Sequence, residues 1–179
     1  LRVMAFRDIS ERKLKEQEIK KLNLAIDQSP SSIVITNTDG IIEYVNQAFC
    51  DVTGYKYEEV IGNDPSILKT DYHPKEYYKN LWKELSEGHI WRGIFRNKTK
   101  AGDYYWERAV ISPIFDDNKQ ITHYLAIKEN ISKEREAQEA LKVSNERHRI
   151  ISELTNDFVY SGNIKSGKIS FDWTSGSIE

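Results

Sequence analysis

Few side chains in this sequence could do covalent or acid–base chemistry, and those few are poorly grouped. Cys50 is the one thiol. It falls in a short helical stretch after Asn46 with no histidine near it in sequence, the setting of a packing residue rather than an activated nucleophile. His73 precedes the longest internal helical stretch, His89 follows it, and His123 lies on a late strand. Such histidines show no metal-ligand spacing. Glu58 and Glu59 are neighbours on a helical turn, where a solvated face accounts for them better than acid–base catalysis. No Gly-x-Gly-x-x-Gly run or phosphate loop occurs. The convergent polar groups of an enzyme are not found, which turns attention to binding and signalling.

The totals agree with that direction. The 26 basic and 28 acidic residues leave a net charge of −2, so no strong field points to nucleic acid or anionic lipid. A single cysteine excludes an internal disulfide framework and suits a reducing, cytoplasmic compartment. No apolar run approaches the roughly 18 residues that span a bilayer, and no signal peptide opens the chain, so no membrane contact is expected. The length of 179 residues allows one or two domains, and a body of about a hundred residues can bury a workable core. The chain starts at Leu1 and stops at Glu179 inside a strand-like pattern, which reads as a segment of a longer polypeptide.

The elements that position these residues come from periodicity. Ile33-Val34-Ile35-Thr36, the turn Asn37-Thr38-Asp39-Gly40, and Ile41-Ile42-Glu43-Tyr44-Val45 form one hairpin. Tyr104 to Phe115 and Gln120 to Ile131, joined by Asp116-Asp117-Asn118-Lys119, form another. Ile90 to Asn97 is a further strand. Between the hairpins lie short helical pieces: one opened by Asn46 and ended by Gly54, one at Tyr57–Gly62, and one with Asp64 as cap and Pro65 at its first position. The longest, Pro74 to Glu87, gathers Tyr78, Leu81, Trp82 and Leu85 on one face. In the strand from Tyr104, alternation puts Tyr104, Trp106, Arg108, Val110 and Ser112 on one face. Tyr105, Glu107, Ala109, Ile111 and Pro113 take the other. The fold class is therefore α+β, a single antiparallel sheet carrying short helices on one face.

Charged rods flank this body. Leu1 to Phe6 is strand-like; a helix with Ser10 as N-cap then carries Ile19, Leu22 and Ile26 as a narrow seam and stops near Ser29-Pro30. After Ile131 a second rod places Ala137, Leu141, Ser144, His148 and Ile151 at strict four-three spacing, a coiled-coil-like heptad that suits a homodimer of linker helices. Asp8-Ile9-Ser10 and Asn130-Ile131-Ser132 introduce the two rods alike. Asp157 to Tyr160, a turn near Ser161-Gly162, and Lys168 to Phe171 repeat the order of the first hairpin. Repetition at this period marks an array of similar modules. The expected organisation is the end of one module at 1–9, a linker helix at 10–28, a complete module at 29–131, a linker helix at 132–152, and the start of a third module at 153–179.

Within the complete module, Ile42-Glu43-Tyr44-Val45-Asn46-Gln47-Ala48-Phe49, Thr53-Gly54-Tyr55 and Glu58-Glu59-Val60-Ile61-Gly62 resemble the PAS domain of sensory proteins. Gly62 to Lys69, Trp91-Arg92-Gly93, Ile111-Ser112-Pro113-Ile114 and the closing Lys128-Glu129-Asn130-Ile131-Ser132 extend the likeness. The resemblance implies a five-stranded antiparallel sheet whose concave face and small helices enclose a pocket. It also implies linker helices that pair and relay signal to a kinase or cyclase domain in cis, most often a histidine kinase.

The resemblance also bears on the ligand. Blue-light PAS domains of the LOV type bond flavin through a cysteine in Gly-x-Asn-Cys-Arg-Phe-Leu; the matching stretch is Gly62 to Leu68, and Pro65 occupies the cysteine position, which disfavours an adduct. Flavin-binding redox PAS domains are similar at Pro65, the proline that follows Gly62-Asn63-Asp64, at Trp82 in the long helix and at Asn97 at the end of the next strand. An asparagine amide offers a flavin edge a donor and an acceptor, and an indole packs along its ring, so non-covalent FAD or FMN stays among the candidates. Haem is disfavoured, because the region where haem sensors carry an axial histidine holds Tyr77 and Tyr78. The expected pocket is lined by Asp64, Ile67, Leu68, Trp82, Asn97, Trp106 and Ile111 and takes a small molecule. The alternative is a ligand-free dimerisation or scaffold module in which bulky side chains fill that space.

Overall fold

A computed structural model of the protein describes residues 10–154, 159–165 and 168–175. Its contacts divide the chain into two units, 1–132 and 133–179. The strand expected at Leu1–Phe6 lies outside the described residues.

In the first unit, helix α1 (Ser10–Asp27) starts at Ser10 itself and leads into the first hairpin. Strands β1 (Ser32–Asn37) and β2 (Ile42–Val45) are joined by a turn that asparagine and glycine build together. Asn37 Oδ1 accepts the N–H groups of Asp39 and Ile41 at 3.0 Å each, and Gly40 takes φ +82°, a backbone state costly for any residue with a Cβ. Asn46 then secures the join. Its Oδ1 accepts from the N–H groups of Ile33 (2.9 Å) and Phe49 (3.2 Å), while its Nδ2 donates to the carbonyls of Ile26 and Ser31, both at 3.0 Å. One buried amide thus ties the end of α1, the start of β1 and the first turn of helix α2 (Gln47–Thr53). The Tyr44 hydroxyl adds a bond to Asp27 at 2.9 Å.

Helix α3 (Tyr57–Val60), a 3₁₀ turn (Pro65–Leu68) and helix α4 (Lys75–Ser86) follow. Asp64 Oδ1 accepts from the Ser66 N–H at 2.7 Å, and Pro65 supplies the preset φ of the first position. Strands β3 (Trp91–Lys98), β4 (Tyr104–Phe115) and β5 (Ile121–Asn130) complete a five-stranded antiparallel sheet of order β2-β1-β5-β4-β3. Chain order and spatial order differ because β5 returns to the centre and pairs with both β1 and β4.

The core is in two parts. Val34, Ile42, Val45, Phe49, Val60, Leu68 and Ala126 form one cluster. Leu81, Leu85, Trp91, Phe95, Ala109 and Tyr124 form the other. Ile111 packs against both and is the hinge between them.

Helix α5 (Ser132–Leu154), whose first residue ends the first unit and whose remainder belongs to the second, exposes Leu141, Val143, Ile150 and Ile151. An antiparallel pair follows, β6 (Val159–Lys165) with β7 (Lys168–Ser175). The turn expected at Ser161-Gly162 is instead a break in register within β6, and the strand continues to Lys165; a glycine inside a strand pattern marks such a bulge as readily as a turn.

Candidate functional site

Ile111 packs against both clusters, and a cavity of about 300 Å³ is lined by residues of both. Val34 and Ala126 line it from one cluster; Leu81, Leu85, Phe95 and Tyr124 line it from the other. Gly40 of the first hairpin and Trp82 of α4 also line it. The Trp82 ring sits so close to Gly40 that a Cβ there would meet it at 2.9 Å, and it packs edge-on to Tyr124 with centroids 5.6 Å apart. Trp82 is 40% exposed despite its place on the apolar face of α4, as expected of a side chain at a rim.

Of the seven side chains expected to line a pocket, the structure brings Asp64, Trp82, Asn97 and Ile111 to the cavity wall and leaves three elsewhere. Leu68 is a fully buried member of the first cluster, and Ile67 packs against that cluster from outside. A 3₁₀ turn points successive residues in different directions, so Pro65, Ser66 and Lys69 face the cavity while Ile67 and Leu68 do not. Trp106 lies on the opposite face of β4 from Ile111, as strand alternation requires. It packs there against Tyr72, with centroids 5.0 Å apart and the rings nearly perpendicular, beside the Arg96 guanidinium. Its main chain matters more: its N–H donates to Ser132 Oγ at 2.8 Å and its carbonyl accepts from the Ile131 N–H at 2.9 Å.

The floor holds polar chemistry that the periodicity reading passed over. Glu107 is 1% exposed on the inward face of β4. Its Oε2 accepts from Asn97 Nδ2 on β3 at 2.9 Å and from Lys128 Nζ on β5 at 3.0 Å. These are diagonal cross-strand partners, since Phe95 and Asn130 stand directly opposite Glu107. Lys128 lines the cavity and its ammonium lies 5.7 Å from the Phe95 ring centre. The signal was present in the sequence: alternation places Glu107 inward between Tyr105 and Ala109, and Lys128 inward after Tyr124 and Ala126. Opposite charges at inward positions of paired strands can satisfy each other where neither could be buried alone.

Two phenol hydroxyls beside this network have no hydrogen-bond partner among the described residues. The Tyr105 hydroxyl is buried without a hydrogen bond. Burial first, and the Glu107 charge second, push its pKa well above the ordinary phenol range; the Asn97 side chain draws it back somewhat without completing a bond to the hydroxyl. The Tyr78 hydroxyl is likewise buried and unpartnered, on a ring that lines the cavity, and burial raises its pKa too.

The remaining chemistry-bearing residues stay apart from the cavity. Cys50 packs against the first cluster, its thiol pushed up by burial and then by Asp51 and Glu58, the opposite of nucleophile activation. His73 stacks on Tyr77 with centroids 4.2 Å apart, and its Nε2 accepts from the Arg96 N–H at 3.3 Å. Glu59 is engaged by Lys100 at 2.6 Å, which holds its carboxyl below the usual range. No group of three or more metal-ligating side chains occurs among the described residues, and no described helix is long and apolar enough to cross a membrane.

A flavin can be tested against this wall. Pro65 stands in the cavity wall and Cys50, the one thiol of the sequence, is not among the lining residues, so no thiol is placed to bond a ring there. Trp82 and Asn97 both line the cavity. The Asn97 amide, however, already donates to Glu107, and about 300 Å³ is the small end of ligand pockets.

Comparison with known proteins gives a consistent result. The family model for the PAS domain matches residues 30–133. The bacterioopsin transcriptional activator of Halobacterium salinarum is 32% identical over 136 residues, covering 74% of this chain and 19% of that protein. A nitrogen fixation regulatory protein of Klebsiella pneumoniae is 31% identical over 107 residues, covering 60% of this chain and 22% of that one. Among solved structures, an RNA-binding light-oxygen-voltage receptor superposes with a TM-score of 0.65 at 19% identity, over 73% of this chain and 38% of that one. At that identity the likeness speaks for the fold. The chain spans about a fifth of the length of these two curated relatives.

Proposed function

The chain belongs to the PAS domain family, and on that premise we propose that its complete module detects a small molecule in the cavity and passes the event to α5. The observation that carries this reading is the position of Glu107. It contacts the cavity-lining Lys128 and Asn97, and it is the neighbour in sequence of Trp106, whose backbone holds Ile131 and the first residue of α5. A ligand that draws Lys128 or Asn97 toward itself changes what holds the Glu107 carboxylate. The displacement reaches the β4–β5 end across one peptide unit. A relay needs only a modest difference between two arrangements, about 1–3 kcal/mol of coupling.

Because the chain spans so little of its relatives, the rest of the circuit is proposed from the residues. The exposed seams of α1 (Ile19 and Leu22) and α5 (Leu141 and Ile151) suit paired linker helices in a homodimer. The β6–β7 pair supports a following module of the same kind, at 153–179, and the output is a histidine kinase or diguanylate cyclase in cis. The two curated relatives are named as regulators of transcription and of nitrogen fixation, which accords with a regulatory input.

The test needs no ligand. Glu107→Gln keeps the shape and removes the charge, and amide hydrogen exchange is followed across the chain. Exchange that speeds up more at Trp106, Ile131 and Ser132 than in the first hairpin supports the relay; acceleration there no greater than the hairpin's, or none, refutes it. A second reading, supported by Trp82 and Asn97 in the wall, is a non-covalent flavin. A yellow protein with flavin absorbance after purification supports it, and a colourless one that stays colourless after incubation with FMN and FAD rejects it.

A further inference from the structure

The polar groups of the cavity are unbalanced in a way that names the kind of molecule it takes. Three charged side chains line it: Asp64, Lys69 and Lys128. Asp64 caps the 3₁₀ turn through the Ser66 N–H, and Lys128 answers Glu107. Lys69 has no carboxylate partner among the described residues; its ammonium instead lies 3.9 Å above the centre of the Tyr78 ring. The hydroxyl of that same ring is buried with no hydrogen bond among the described residues, and an unpaired buried hydroxyl is a standing cost. A donor without an acceptor, beside a cation without an anion, is half of an anion-binding pair. Leu81, Leu85, Ile111 and Ala126 are part of the apolar remainder of the wall.

Resting on the ligand-sensing reading above, we infer that the cavity's ligand is a small amphipathic organic acid. Its carboxylate accepts the Tyr78 O–H and faces the Lys69 ammonium, and its hydrocarbon or aromatic body lies against Leu81, Leu85 and Ile111. A charge-assisted pair of this kind is stronger than a neutral one, and a cavity of about 300 Å³ suits a molecule of modest size.

Calorimetric titration of the whole chain with 3-phenylpropanoate, 3-phenylpropanamide and propylbenzene separates the outcomes. The inference expects the acid to bind at least about tenfold tighter than the amide. It expects Lys69→Met to abolish that preference and Tyr78→Phe to weaken the acid about tenfold. If the amide or the hydrocarbon binds as tightly as the acid, or the preference survives Lys69→Met, the acid class is overturned while the ligand cavity stands. If none of the three binds, both the class and the cavity reading fall. Thermal unfolding of each variant without probe guards against misfolding; a variant that has lost its fold is replaced by Lys69→Gln or Tyr78→Leu.

Discussion

Replacing Lys128 with methionine keeps the length and apolar stem of the side chain and removes the ammonium that answers Glu107. At 3.0 Å, and with an effective dielectric of about 20, the attraction lost is roughly 5–6 kcal/mol. Much of that is matched by the cost of desolvating the lysine, which the variant no longer bears. What remains is a carboxylate 1% exposed whose one hydrogen bond from a side chain is that of Asn97. Breaking a buried pair from one side costs about 3–5 kcal/mol, which for a body of about a hundred residues lowers the melting temperature by roughly 15–25 °C. Circular dichroism melts of the wild type, Lys128→Met and the double variant Glu107→Gln/Lys128→Met measure it. The double variant, with an amide facing an amide, should recover more than half of the loss, because both single changes act on one contact. A loss below about 1 kcal/mol for Lys128→Met, or a double variant no better than the single, would show that the pair is not the buried keystone described here.

His73 is held below its usual pKa by burial, so the unfolded chain takes up its proton first; its contribution to stability is full above the unfolded pKa of about 6.5 and is lost as pH falls through the lower folded value. Urea midpoints at pH 7.5 and 5.5 should therefore separate less in His73→Phe than in the wild type, and an equal separation in both removes His73 from the account. Leu141 is 62% exposed on α5; sedimentation of the whole chain should show a dimer that Leu141→Glu shifts toward monomer, and a wild type that is monomeric throughout the micromolar range argues against paired linkers.

Much of the fold was legible in the sequence because local chemistry and global pattern agree there. Asn37 with Gly40, Asn46, and Asp64 with Pro65 each specify a turn or helix start from their own side chains, and the structure uses each as its residue type demands. The site was half legible. Asp64, Trp82, Asn97 and Ile111 reach the wall, whereas Ile67 and Leu68 turn into the core because a tight 3₁₀ turn shares its residues between two directions. Trp106 was lost to a conflict internal to the reading, since it alternates with Ile111 on one strand and both cannot face the same cavity. Glu107 and Lys128 escaped because hydropathy scores a buried charge as a surface residue unless its partner on the neighbouring strand is sought. The supposed turn at Ser161-Gly162 shows the same limit: the composition of a bulge and of a turn is alike.

The central claim, that filling the cavity alters the end of the sheet where α5 begins, can be tested by filling it permanently. Ala126 lines the cavity from β5 and is 7% exposed, and Ala126→Leu extends into the space a ligand would take. Amide hydrogen exchange of this variant against the wild type should change at Trp106, Ile131 and Ser132 while the Asn37–Ile41 turn keeps its protection. Identical exchange at those three amides, in a variant that melts like the wild type, would contradict the account.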